Sequence, residues 1–107
     1  MSDTWHKILE LVQHGDIRVS EHGYDELAAD GITVREIVSE ASNAVVLEDY
    51  PSYPKGPCVL TTQKDRNGHP VHVVWGIARD STSPAVLVTA YRPDPERWRE
   101  DSRRRIR

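Results

Sequence analysis

A chain of 107 residues with net charge −3 and 37% hydrophobic content has the length of one ordinary domain, able to bury roughly two-thirds of its unfolded surface. Its single cysteine, Cys58, excludes an intramolecular disulfide framework and a cysteine-built zinc site, so packing must hold the fold and the expected compartment is a reduced cytoplasm. No apolar run approaches the ~20 residues a membrane span needs, and the start, MSDTWHKILELVQ, is amphipathic rather than a basic segment followed by an apolar one.

Taken in chain order, residues 3 to 14 place Trp5, Ile8, Leu9 and Val12 on one helical face, with Asp3 or Thr4 as cap and Gly15 as stop. Ile17 to Val19 reads as a short extended link. Ser20 is placed to cap a second helix, with Glu21 in its first turn and Tyr24, Leu27 and Ala28 directed to the core. Gly31 fits the left-handed stop of that helix, Ile32 folding back on Leu27. Thr33 opens a third helix through a capping box with Glu36, and Val34, Ile37, Val38 and Ala41 form its inner stripe.

After Asn43 the pattern turns extended. AVVLEDY reads as a strand, and PSYPKGP, too rich in proline for a ladder, as an ordered loop. CVLTTQ is the next strand, joined to HPVHVVWGIA by a tight hairpin at Asn67-Gly68. On that long strand Val71, Val73, Trp75 and Ile77 share one face, and His72, Val74 and Gly76 the other. AVLVTAY is the last strand, with Val86, Val88 and Ala90 on one face and Leu87, Thr89 and Tyr91 opposite. Pro95 starts a short terminal helix. The expected fold is thus a single α+β domain: N-terminal helices packed on a four-stranded antiparallel meander, with Val71, Val73, Trp75, Val86 and Val88 buried against Leu27, Ile37 and Val38.

Charge is unevenly spread. Residues 1 to 50 carry three basic groups against eleven acidic ones, whereas 92 to 107 carry seven arginines against four acids. Such a tail either completes a helix dipole or faces phosphate, to which arginine donates bidentately. There is no phosphate-cradling glycine loop, HExxH or nucleophile elbow, and no cofactor motif. The five histidines include no i, i+4 pair on one helix, so no metal site is assigned. Cys58, in a strand with no base beside it, reads as a small hydrophobe. His22 stands in a first helical turn, where the dipole favours a neutral imidazole and attracts anions; it either serves as a general base or packs beside Tyr24. His72 lies on the face opposite the apolar stripe, which can stay wet. Thr89 and Tyr91 share a face of the last strand, and Arg92 follows: a proton donor beside a guanidinium suited to a phosphoryl transition state.

SEHGYDELAADGIT, EDYPSYPKGPCVLTTQ, PVHVVWG and VLVTAYRPDPERW occur in this order over about residues 17 to 98. The run resembles an uncharacterised family of small bacterial and archaeal proteins, a domain of unknown function related to RelE/BrnT-type toxins. The resemblance implies a microbial-ribonuclease-like fold and an RNA-cleaving toxin paired with an antitoxin protein. By position it implies His22 as the helix histidine, His72 as the strand histidine, and Thr89 and Tyr91 as the last-strand pair. Many relatives carry arginines four and eight residues after the helix histidine; Glu26 and Asp30 stand there in this chain. Two anions oppose an RNA phosphate, so Arg92 or Lys55 must supply the cation, or the site does not cleave RNA. The leading expectation is a metal-independent endoribonuclease with catalytic His22, His72, Tyr91 and Arg92 and with Lys55 and Thr89 binding substrate. The alternative is a non-catalytic protein-interaction module on the same fold.

Overall fold

The protein is described by a computed structural model over residues 2–93; the expected terminal helix from Pro95 and the arginine-rich tail lie outside the described residues. Helix α1 (Asp3–Gln13) is capped by Ser2, whose hydroxyl accepts the Trp5 N–H at 2.9 Å. The cap thus precedes the expected Asp3 or Thr4, and Asp3 falls in the first turn, where its charge suits the positive helix end.

Helix α2 (Glu21–Asp30) is capped by Ser20, which accepts the Gly23 N–H at 2.9 Å and donates to the Val88 carbonyl at 2.7 Å. It stops at Gly31 in the left-handed conformation (φ 67°), and the Ile32 N–H reaches back to the Leu27 carbonyl at 2.9 Å, the expected Schellman closure. Its inward residues differ from the expected set: Gly23 and Leu27 are buried, while Tyr24 is 58% exposed and Ala28 faces solvent. The cause is close approach. A Cβ at Gly23 would lie 2.9 Å from the Leu87 carbonyl oxygen, so the helix meets strand backbone through its glycine, which turns the stripe one position away from the tyrosine.

Helix α3 (Val34–Ser39) carries the Thr33/Glu36 capping box in full, and a 3-10 turn follows at Ala41–Asn43. Hydrogen bonds from Thr33 and Arg66, working against partial burial, hold the Glu36 carboxyl below its usual range.

The strands are β1 (Ile17–Val19), β2 (Val45–Tyr50), β3 (Cys58–Lys64), β4 (Pro70–Ile77) and β5 (Ala85–Tyr91). They form one five-stranded mixed sheet in the order β1-β5-β4-β3-β2, not four antiparallel strands. β2 to β5 make the expected antiparallel meander. The fifth strand is the segment read as a link: Ile17, Arg18 and Val19 pair in parallel with Ala85, Val86 and Leu87. Three residues are too few for a periodicity, and the partner lies at the far end of the chain.

The β3–β4 hairpin forms as expected, with Lys64 opposite Pro70. Asp65 and His69 close it through the Asp65 N–H to the His69 carbonyl (2.9 Å), and Gly68 alone takes positive φ. The loop therefore spans Arg66 to Gly68, a type I turn completed by a left-handed glycine.

The three α-helices among the described residues pack on one sheet face. Trp5, Ile8 and Val12 of α1, with Leu27, Ile37 and the half-buried Val38, cover Val59, Val71, Val73, Trp75 and Leu87. The β5 stripe departs from strict alternation. Trp75 pairs with Leu87 but Val74 with Thr89, so Val88 is an extra residue in a bulge. The buried set on β5 is Ala85, Leu87 and Ala90, while Val86 and Val88 stand on the opposite face. The expected burial of those two valines is thereby corrected: the outer face keeps an apolar strip that no helix among the described residues covers.

Candidate functional site

Two of the candidate side chains meet on the outer face of the sheet. His72 of β4 and Tyr91 of β5 are directly paired across the strands. The His72 Nδ1 lies 3.4 Å from the Tyr91 hydroxyl, and the rings meet edge-on with centroids 5.4 Å apart. His72 is only 3% exposed, unlike the wet position its face suggested, whereas Tyr91 is half-buried. A phenol that reaches outward with an imidazole behind it can pass a proton in either direction.

Beside this pair on the same face lies a groove of about 600 Å³. Val74, Val86 and Val88 form its floor, and Arg18, Tyr53 and Lys55 stand at its walls. Val74 is two residues from His72 along β4, about 7 Å in an extended strand. Arg18 reaches the groove because β1 sets it opposite Val86. Lys55 reaches it because the 51–57 loop is tied over the end of β4: the Ile77 N–H donates to the Pro57 carbonyl (3.0 Å) and the Arg79 N–H to the Lys55 carbonyl (3.1 Å). Gly56 makes that closure feasible. Its φ is 127°, and a Cβ there would fall 2.1 Å from the Ile77 carbonyl oxygen. Cys58 also lines the groove, and burial, with the nearby Asp49 charge, pushes its thiol up, so it presents a protonated wall.

Arg92 is placed elsewhere. Strand alternation turns it away from Tyr91, and its guanidinium donates to Asp65 at 2.6 Å and to the Asp30 carbonyl at 3.3 Å, while its own N–H donates to the Asp30 carboxylate at 3.2 Å. Asp65 also accepts the Asn67 and His69 N–H groups at 2.8 and 2.9 Å. Chiefly the Arg92 hydrogen bond, with the two loop amides and against burial, lowers the Asp65 carboxyl to about 2. The result is a clamp joining the end of β5, the end of α2 and the β3–β4 loop. Asp30, one of the two acids four and eight residues after His22, is a working part of it.

The other acid, Glu26, lies 3.8 Å from His22 across one helical turn. His22 is exposed on a helix whose Leu27 belongs to the opposite, helix-covered side of the sheet. Thus His72, Tyr91 and Lys55 share one face, with Thr89 half-buried on β5 opposite Val74, while His22 and Arg92 do not join them. Sequence reading missed Arg18, Tyr53 and Asp65. Only Asp65 had a local signal, an aspartate just before Arg66-Asn67-Gly68 placed for an Asx turn. Among the described residues no group of three or more His, Cys, Asp or Glu side chains could hold a metal ion, and no helix is long and apolar enough to cross a membrane.

Among the described residues, fold and site together define an α+β domain with its helices on one face of the sheet and a histidine–tyrosine pair on the other. Residues 19–92 match the family described as a domain of unknown function, DUF4258, and the chain belongs to that family. The match begins after α1 and ends at the Arg92 clamp. Comparisons with curated proteins and with solved structures gave no significant match.

Proposed function

We propose that this protein is a toxin-like, RelE/BrnT-related domain that cleaves single-stranded RNA without a metal and is restrained by an antitoxin protein. The observation that carries the reading is the His72–Tyr91 contact on the outer face, beside a groove lined by Arg18 and Lys55. In this scheme Tyr91 meets the substrate and His72 serves it from behind. The imidazole takes the phenol proton as Tyr91 takes the proton of a ribose 2′-hydroxyl; the 2′-oxygen then bonds to phosphorus, the bond to the 5′-oxygen breaks, and the proton returns to that oxygen. Lys55 and Arg18 supply the phosphate contacts and Thr89 a hydroxyl along the strand. Arg92 is assigned a positioning role, since its donors are engaged by Asp65 and Asp30. His22, on the helix side, is left as a surface group paired with Glu26.

The test is incubation of purified protein with unstructured RNA in excess chelator. Cleavage should yield 2′,3′-cyclic phosphate ends and fall by about 10²-fold or more in Tyr91→Phe and His72→Ala, with Arg92→Ala acting through stability. RNA left intact by the wild type would defeat the reading. The second reading, a non-catalytic interaction module, is favoured by the acids on α2 and by the engaged state of Arg92; it predicts intact RNA and harmless expression.

A further inference from the structure

The groove beside the His72–Tyr91 pair is shaped for a particular ligand. Among the described residues its lining carries two cations, Arg18 and Lys55, and no carboxylate, in a chain whose net charge is −3. Two acids stand near the wall without lining it: Glu48 accepts the Tyr50 hydroxyl at 2.5 Å, and the Asp49 charge acts on Cys58. The floor is apolar, Val74 with Val86 and the Val88 bulge, which is 39% exposed. Tyr53 offers a 50% exposed ring at the wall. An apolar floor, a half-exposed aromatic ring and two lining cations suit a flat, weakly polar body joined to an anion. The volume of about 600 Å³ lies in the usual range for such ligands.

We propose that this groove seats one unpaired nucleotide of a single-stranded RNA, with its base over the valine floor against Tyr53 and its flanking phosphates on Arg18 and Lys55. The proposal rests on the ribonuclease reading for the direction of the strand, which runs from the groove past Tyr91. A base in a duplex cannot enter, because its faces are already stacked, so the groove selects single strands. The β1–β5 pairing and the Gly56 closure bring these two cations, far apart in sequence, to the lining of one groove.

The test separates binding from cleavage. The probe is a fluorescent 2′-O-methyl oligonucleotide, which lacks the nucleophile for cleavage, titrated by anisotropy against the full chain. Wild type should bind it, and Tyr53→Ala should weaken binding about tenfold, as loss of one base–aromatic stack does. Arg18→Ala/Lys55→Ala should lower the slope of log affinity against log salt by about 1.4, the value for two single-strand phosphate contacts. The three substituted groups, Tyr53, Arg18 and Lys55, are exposed, and melting curves should match wild type. No binding by wild type, or unchanged affinity and slope in the variants, overturns the groove assignment, and retained RNA cleavage would then leave the function standing. Binding that depends on these residues without any RNA cleavage upholds the groove and removes the ribonuclease reading. Adenosine monophosphate bound as tightly as the oligonucleotide, through the same residues, would overturn the assignment to a strand.

Discussion

Removing Arg92 tests whether it stabilises the fold or acts on substrate. Asp65 is 2% exposed and its carboxyl is lowered from 3.8 to about 2. At 1.36 kcal/mol per pKa unit such a change has an upper bound of about 2.5 kcal/mol, and the 35% exposure of the Arg92 side chain brings the expected value to about 1–2 kcal/mol. Arg92→Ala leaves Asp65 with two loop amides but no cation, so the protein should lose about that much, near 5–10 °C in melting temperature for a domain of this size. The sign with pH is fixed. A depressed carboxylate contributes fully above its unfolded value near 4 and loses its contribution as pH falls toward 2. Urea unfolding followed by tryptophan fluorescence should therefore show a wild-type advantage over Arg92→Ala at pH 7 that shrinks between pH 4 and pH 2. Asp65→Asn and the double variant complete a cycle whose coupling should be about 1 kcal/mol. An Arg92→Ala protein as stable as wild type, with no coupling to Asp65, would refute the clamp and return Arg92 to the list of groups free to meet phosphate.

Gly56→Ala should cost more than about 2 kcal/mol, because the left-handed φ and the Ile77 carbonyl both resist a Cβ, and it should also weaken oligonucleotide binding by displacing Lys55; a variant with wild-type melting and binding would contradict that account. Thr33→Ala removes the capping box and should lower stability by about 1 kcal/mol in urea titrations, without effect on RNA binding. Trp75→Ala, which empties the largest fully buried side chain from the core, should cost about 3–5 kcal/mol by the same method. Cys58 should react with a thiol reagent more slowly at pH 7 than a free thiol, and rapid labelling would show that its wall is open and its thiol unshifted.

Local chemistry made much of the fold legible. Ser20, Gly31 and the Thr33/Glu36 box fix the bounds of α2 and the start of α3 with bonds that span only a few residues. Asn67-Gly68 marks the hairpin, and period-two alternation puts Val71, Val73 and Trp75 on the inner face of β4. Each is decided within a short stretch of chain, so a sequence can carry it. His72 and Tyr91 were each expected on the face away from the helices, but their pairing comes from the β4–β5 register.

Contacts between distant segments decided the rest. β1 is a strand only because residues 85–87 run beside it in parallel, and that one pairing turns Arg18 from an anonymous surface cation into a wall of the groove. The bulge at Val88 is a mismatch between two strands, invisible in either alone, and it moves Val86 and Val88 from the expected core to the groove floor. Tyr24 lost its inward place to Gly23 because the backbone of β5 sits where a side chain would otherwise stand. Arg92 looked like a phosphate ligand because the sequence showed it after Tyr91 and hid Asp30 and Asp65, which lie 62 and 27 residues away along the chain and hold its donors. A charge is read from composition, but whether it is free to meet a ligand depends on which opposite charge the fold has already set against it.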